Sequence, residues 1–102
     1  VTVEGGSAAD RVAFTTALYH AQLHPNVFSD GDGRYRGFAG AVHVTKGRAH
    51  YANFSSWDTY KAHNQLLSLI APERYQDMAR SLLADAEQGG RLPRTHRVCR
   101  RQ

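Results

Sequence analysis

The chain has 102 residues, of which 13 are Lys or Arg and 9 are Asp or Glu, and its formal net charge is +4. That length allows one small hydrophobic core, and no apolar run approaches the roughly 20 residues that a membrane span needs. The single cysteine, Cys99, excludes an internal disulfide and a cysteine-based zinc site.

The first predicted element is a helix from Ala8 to about Leu23. Ser7 suits its N-cap position, and Asp10 follows three residues later as in a capping box. Pro25 ends the helix, because the residue before a proline is pushed out of α-helical geometry. Four apolar residues recur at helical spacing and predict a buried stripe: Phe14, Ala17, Leu18 and Ala21.

A glycine-rich loop and a β-hairpin are predicted next. Residues 25–40 contain four glycines together with Asp30 and Asp32, which is a loop by composition. Long loops in compact domains are often functional. Alternation of apolar and polar residues from Val42 to Tyr51, around a turn at Lys46 and Gly47, predicts the hairpin.

Two more helices are expected in the second half of the chain. Ser55 or Ser56 caps a helix that runs to about Ile70, and its C-terminal half is rich in leucine. Pro72 suits the first turn of the next helix, and Gly89 suits its end. Together they predict an αα-hairpin, in a chain that is mainly α with one short β-hairpin.

Trp57 and Asp58 form the candidate binding site. An aromatic ring can cover the apolar face of a pyranose, and a neighbouring carboxylate can accept hydrogen bonds from vicinal hydroxyls. On this pair alone, a structural interpretation is favoured over sugar binding. In it, Trp57 packs in a core, and Asp58 closes a capping box with Ser55.

Two other patterns resemble metal sites, but neither has all the features that such a site needs. The segment from Asp30 to Gly33 begins like a calcium loop, but Arg34, Tyr35 and Ala41 occupy the fifth, sixth and twelfth positions, where an EF-hand needs an oxygen ligand, glycine and glutamate. His20 and His24 have the spacing of two ligands on one helix face. His24 precedes Pro25, however, and we expect it to lie outside the helix.

Several short motifs occur in a fixed order along the chain. The motifs are Ala17-Leu18-Tyr19-His20, Pro25-Asn26-Val27-Phe28-Ser29-Asp30, Asp32-Gly33-Arg34-Tyr35, Tyr51-Ala52-Asn53-Phe54-Ser55-Ser56-Trp57-Asp58-Thr59, Leu66-Leu67-Ser68-Leu69-Ile70-Ala71-Pro72 and Gly89-Gly90-Arg91-Leu92-Pro93. Each motif is short, and the ordered set is specific. Together they resemble the central part of glycoside hydrolase family 92, a family of calcium-dependent exo-α-mannosidases. The resemblance covers about residues 1–94.

The resemblance implies a fold, a reaction and roles for two residues. It implies that the chain is an incomplete αα-hairpin portion of an (α/α)6 toroid, within an inverting, exo-acting enzyme that cleaves terminal α-mannosides. Trp57 and Asp58 would be substrate-binding residues of the sugar subsite. The family usually has arginine where this chain has Lys61, which lacks the planar bidentate fork. The catalytic acid and base and the main calcium ligands of the family lie in later segments, so no catalytic or metal-binding residue is assigned here, and the fragment alone is expected to be inactive.

The end of the chain departs from the family pattern. Residues 95–102 are predicted to be a non-matching, arginine-rich tail, as an out-of-frame or unrelated ending would be. Five arginines lie in residues 91–102, and removing them leaves 8 basic against 9 acidic residues. Arginine tails can also bind polyanions, and a small helical binding module with such a tail is the alternative function.

The expected partners are α-mannoside glycans and the remainder of the catalytic domain, with no nucleic acid or membrane. Family members are often secreted or periplasmic. No signal-like segment precedes the first helix, and the sequence leaves the localisation open.

Overall fold

The computed structural model describes residues 1–93 and is mainly helical, with two short antiparallel strand pairs. This confirms the prediction of a mainly helical chain with little β-structure. The elements follow in the order α1 (Ala8–Ala21), β1 (Asn26–Val27), β2 (Arg34–Arg36), β3 (Val42–Val44), β4 (Tyr51–Ala52), α2 (Ser56–Thr59), α3 (His63–Ile70) and α4 (Pro72–Gly89).

Helix α1 begins with the predicted capping box. The Ser7 hydroxyl oxygen accepts a hydrogen bond from the Asp10 backbone N–H at 3.2 Å, and Asp10 Oδ2 accepts one from the Ser7 N–H at 2.9 Å. Two backbone donors that a helix start would leave unpaired are therefore satisfied by side chains.

The predicted burial of α1 is wrong. No residue of α1 is buried, and 43% of Phe14 is exposed, while Leu18 and Ala21 are half-buried. The contacts that tie α1 to the other helices lie at its C-terminal end. There, a ring nitrogen of His63 faces the Ala21 carbonyl oxygen, and Arg74 Nη1 donates to Gln22 Oε1 at 3.3 Å.

We expect replacement of Ser7 by Ala to raise the pKa of the Asp10 carboxyl group. The Ser7 hydroxyl, which donates to Asp10 Oδ2 at 2.7 Å, and then the Ser7 backbone N–H hold that pKa below its ordinary value. A lowered pKa in the folded state stabilises the helix above the ordinary Asp pKa of about 3.9, and this stabilisation is lost as the pH falls through the lowered value. Carboxyl-carbon NMR titration of the chain measures the shift.

Thr15→Ala is the matched control for Ser7→Ala. It also removes a hydroxyl from α1, one that donates to the Arg11 carbonyl at 2.9 Å, but this hydroxyl is remote from the carboxyl group. Its Asp10 pKa should match the wild-type value. An unchanged Asp10 pKa in Ser7→Ala would show that the cap hydroxyl does not stabilise the charged carboxylate.

The strands pair differently from the prediction. The expected hairpin from Val42 to Tyr51 is wrong, because β3 pairs antiparallel with β2, with Tyr35 opposite His43. Strand β4 pairs antiparallel with β1, with Asn26 opposite Ala52. Residues 25–40, predicted as a loop, therefore contain the two strands β1 and β2.

Glycines explain this change of partner. Residues 37–41 connect β2 to β3, and in this turn Gly37 N–H donates to the Ala41 carbonyl at 2.8 Å and Gly40 has a φ of +87°. At Gly33 the φ is +85°, and a Cβ atom there would collide with the carbonyl oxygen of Thr45. The chain can therefore turn back at these positions and pair closely only because no side chain is present.

The predicted second helix is divided into α2 and α3. The chain leaves helical geometry at Ala62, which has φ −136° and ψ −35°. Helix α2 has no buried residue, and 58% of Tyr60 after it is exposed, whereas α3 is anchored by the buried Leu67. Short helices depend on packing for their stability, so the half without a buried anchor is a single separate turn.

The third predicted helix is confirmed as α4. Pro72 lies in its first turn, and Gly90, with a φ of +73°, ends it one residue after the predicted position. Helix α4 packs against α3 and β4 around a core of Tyr51, Phe54, Leu67 and Met78. Within residues 1–93, none of the helices combines the length and the apolar character that crossing a bilayer requires.

The purified chain should be poorly stable. Large apolar side chains stay exposed outside the small core, including Val12 and Leu69, which is 80% exposed. Exposed apolar patches of this kind bind hydrophobic dyes and weaken cooperativity. We expect strong dye fluorescence and a broad thermal transition from the purified chain. A sharp cooperative transition from a monomer would contradict this prediction.

Candidate functional site

Trp57 and Asp58 lie on the single turn of α2, and both are exposed. The exposed fraction of Trp57 is 72%, so the interpretation that its ring packs in the core of this chain is wrong. Asp58 N–H donates to the Ser55 carbonyl at 3.0 Å. The two side chains predicted to bind a sugar are thus adjacent and accessible in the structure.

The predicted capping box at α2 does not form. The Ser55 side chain makes no hydrogen bond to the backbone of the helix start. Its hydroxyl instead donates directly to Asp58 Oδ2. That bond orients the carboxylate, which has capacity to accept further donors because an ionised carboxylate has about four acceptor sites.

The segment before α2 is firmly anchored. Ala52 is fully buried, and Phe54 belongs to the core. Asn53, between them, has a φ of +63°, and its side-chain amide donates to Asn26 Oδ1 at 2.6 Å. The chain therefore reaches Ser55 from a fixed position. No sequence spacing predicts the contact between Asn26 and Asn53, because it depends on the pairing of β1 with β4.

A buried polar cluster lies beside this segment and was missed by the sequence analysis. His50 Nε2 lies 3.3 Å from Asp85 Oδ1, and both side chains are 1% exposed. The ring of Tyr35 stacks on His50, with centroids 3.7 Å apart and planes inclined by 12°. No spacing rule connects His50 with Asp85, which lies far along the sequence on helix α4.

The acidic loop is a turn, as expected. Asp32 Oδ1 accepts from the Arg34 N–H at 3.0 Å, and Asp32 Oδ2 lies 3.2 Å from Arg34 Nε. Gly33 N–H donates to the Asp30 carbonyl at 2.9 Å. The Asp32 carboxylate is therefore paired with both the backbone N–H and the guanidinium group of Arg34.

Residues 1–93 do not fit a calcium ion by themselves. Among them, no group of three or more His, Cys, Asp or Glu side chains converges on a point that could hold a metal. Calcium prefers six to eight oxygen ligands, often several of them carboxylates. Asp32 is paired with Arg34, and Asp85 with His50.

A groove of about 290 Å³ runs between the end of α1, the β1–β4 pair and helices α3 and α4. The core residues Tyr51, Leu67 and Met78 line it, together with the exposed Arg74. Trp57 and Asp58 are not among its lining residues. In this segment, then, the candidate sugar residues stand outside the groove.

The sequence matches the model of the glycosyl hydrolase family 92 catalytic domain over residues 1–101. The chain belongs to this family. It is a segment of a family 92 catalytic region, as the ordered motifs predicted. The match includes most of the segment after Arg94. That segment lies outside the described residues, so the division into residues 1–94 and an unrelated tail at 95–102 stays a prediction.

Solved structures of the family have the same local fold. The GH92 α-mannosidase from Bacteroides thetaiotaomicron is 38% identical, with a TM-score of 0.74, and the match covers 78% of this chain and 11% of that one. Its complex with mannoimidazole gives 40% identity and a TM-score of 0.70 over 74% of this chain and 10% of that one. The GH92 family glycosyl hydrolase ccman5 gives 32% identity and a TM-score of 0.73, and the match covers 87% of this chain and 13% of that one.

This family 92 segment therefore spans about a tenth of the length of the solved structures that it matches. No curated protein sequence matches it. The alternative function, a helical module that contacts a polyanion, depends on an arginine tail that lies outside the described residues.

Proposed function

We propose that the chain is part of an exo-acting, inverting α-mannosidase, and that it supplies part of the subsite for the terminal mannose through Trp57 and Asp58. The observation that carries the proposal is the exposure of both side chains on an anchored segment of a family 92 chain. The family 92 α-mannosidase solved with mannoimidazole supports the class of substrate.

The two side chains suit complementary parts of a sugar. The Trp57 ring presents a broad apolar face, which can cover the C–H face of a pyranose ring. Asp58 can accept hydrogen bonds from two adjacent hydroxyls, and the Ser55 hydroxyl orients its carboxylate. Hydrogen bonds to a charged acceptor are among the stronger ones, so this acid would discriminate between sugars by the placement of their hydroxyls.

The proposal assigns no catalytic residue to this chain. Inversion needs a general acid and a general base that lie about 6.5–9.5 Å apart on opposite faces of the scissile bond. Trp57 and Asp58 can position a sugar, but the reaction needs both a general acid and a general base in addition to them. We place the acid, the base and the calcium ligands of the complete enzyme outside residues 1–93.

We also propose that α3 and α4 are one helical hairpin of an (α/α)6 toroid. They pack against each other on either side of Ala71. Leu66 and Leu69 on α3 are exposed, as they would be if neighbouring hairpins normally covered them. The missing neighbours would be the rest of the catalytic region, which is the expected protein partner.

The complete enzyme tests the proposed reaction. Incubated with an α-mannoside, it should release mannose from the non-reducing end, and proton NMR should first show the β-anomer. A complete enzyme that releases no mannose would refute the proposed activity. Release of the α-anomer first would refute inversion, and release of internal oligosaccharides would refute exo action.

A further inference from the structure

We infer that His50, held against Asp85, is a positioning residue that fixes the segment carrying Trp57 and Asp58 relative to helix α4. The inference rests on the proposed function, because the segment that His50 fixes is the one that presents these two side chains to the sugar. His50 itself lies in the buried cluster and is not proposed to touch the substrate.

The His50–Asp85 contact is deeply buried. His50 Nε2 is 3.3 Å from Asp85 Oδ1, and each side chain is 1% exposed. A buried carboxylate is strongly destabilising unless a donor or an opposite charge faces it. An ionised carboxylate can only accept hydrogen bonds, and imidazole Nε2 can carry the N–H that such an acceptor requires. Asp85 therefore needs a hydrogen-bond donor at the position that His50 Nε2 occupies.

Tyr35 and Gln88 complete the cluster around the imidazole. Tyr35 from β2 stacks on the His50 ring, and its hydroxyl oxygen accepts a hydrogen bond from Gln88 Nε2 at 2.7 Å. Asp85 and Gln88 are three residues apart on α4, so they project from the same helix face. One face of α4 thus contacts both the imidazole and the ring stacked on it.

Backbone hydrogen bonds hold His50 and Tyr51 in place, both against residues 28–29 and against α4. His50 N–H donates to Ser29 Oγ at 3.1 Å, and the His50 carbonyl accepts from the Phe28 N–H at 2.8 Å. Tyr51 N–H donates to Ser81 Oγ at 3.0 Å. Ser81 lies one helical turn before Asp85. Two consecutive residues, His50 and Tyr51, are therefore tied to two consecutive turns of α4.

Residues 51–55 connect His50 to helix α2, which carries the candidate site, and most of these residues are held in place. Ala52 is fully buried, Asn53 is bonded to Asn26, and Phe54 is in the core. Helix α2 begins two residues after Phe54. A shift of His50 along α4 would therefore displace α2, since only residues 51–55 separate His50 from the start of α2.

The test uses three variants of the complete enzyme. His50→Phe keeps a ring that can stack on Tyr35 and removes the N–H that faces Asp85. His50→Gln keeps an N–H donor in a side chain of similar reach. Ala79→Gly, at an exposed position of α4, weakens the helix without removing a contact of the cluster. The measurements are hydrogen exchange of the peptide that covers residues 51–59, thermal stability, and kcat and KM for an α-mannoside at a temperature where every variant is folded.

The positioning role predicts different results for the variants. His50→Phe should raise exchange in residues 51–59 by about tenfold and lower kcat/KM by about tenfold, because small misplacements of positioning groups can cost up to about a hundredfold. His50→Gln should recover most of both losses. Ala79→Gly should lower the melting temperature and leave exchange of residues 51–59 and kcat/KM close to the wild-type values.

Each contrary result is informative. Unchanged exchange in His50→Phe, or a kcat/KM within twofold of that of Ala79→Gly, would overturn the positioning role and leave a purely stabilising one. Equal losses in His50→Gln and His50→Phe would overturn the role of the donor.

If His50→Phe does not fold, Asp85→Asn, which keeps the size of the acid and removes its charge, takes its place with the same expected directions. If the wild-type enzyme releases no mannose, the proposed function fails, while the exchange data still decide whether His50 fixes the segment.

Discussion

The 102-residue chain alone should hydrolyse no aryl α-mannoside at a measurable rate, with or without added calcium. Loss of a general acid or base typically costs a factor of about 10² to 10⁴, and we assign neither to this chain. Several acids of residues 1–93 already have partners within the chain: Asp10 with Ser7, Asp32 with Arg34, Asp58 with Ser55 and Asp85 with His50. Release of nitrophenol from the aryl mannoside measures the rate.

Two controls decide whether any residual rate belongs to the chain. The complete enzyme in the same buffer shows that substrate and calcium are adequate. An Asp58→Ala version of the short chain, purified identically, reports hydrolysis by contaminants. A rate that scales with the concentration of the wild-type chain and disappears in Asp58→Ala would contradict the prediction, and would mean that residues of this segment form a working site.

Local signals in the sequence predicted the starts of helices α1 and α4 well. Ser7 with Asp10 forms the predicted capping box, and Pro72 starts α4 as expected. These devices act within one turn of the chain, through bonds between residues three or four positions apart. They therefore operate in the same way in a short segment and in a complete enzyme.

Strand pairing and burial depended on contacts that the local pattern does not contain. Val42 and Val44 alternate as a strand should, but alternation does not name a partner, and the turn at Gly37–Gly40 selected β2 instead of the chain that follows. Phe14 lies on an apolar stripe and remains 43% exposed. A stripe shows which face is apolar, and only the neighbouring elements determine whether it becomes buried.

The candidate site was predicted in part. Trp57 and Asp58 were found because they are adjacent in sequence and chemically distinctive, and the structure leaves both accessible. His50 and Asp85 were missed, because they are 35 positions apart and meet only when β4 packs on α4. Neither residue type is unusual in its own sequence surroundings. Their pairing is a property of the tertiary structure.

In the complete enzyme, replacement of Asp58 by Ala should lower kcat/KM for an α-mannoside by about a hundredfold. Hydrogen bonds to a charged group contribute about 1.5–3 kcal/mol each, and each 1.4 kcal/mol corresponds to about a factor of ten. Loss of one strong or two weaker bonds to the sugar hydroxyls would give this effect. Steady-state kinetics measure it, and thermal unfolding of the same preparation reports the accompanying change in stability.

Ser55→Ala separates the sugar-binding role of Asp58 from a structural one. This variant removes the hydroxyl that donates to Asp58 Oδ2 and keeps the carboxylate. If Asp58 binds the sugar, Ser55→Ala should lose far less kcat/KM than Asp58→Ala, because the acceptor for the substrate hydroxyls remains. If the Ser55–Asp58 bond matters only for the turn of α2, the two variants should lose similar thermal stability and keep near-normal kcat/KM. That second result would assign Asp58 to the structure of α2 and remove it from the sugar subsite.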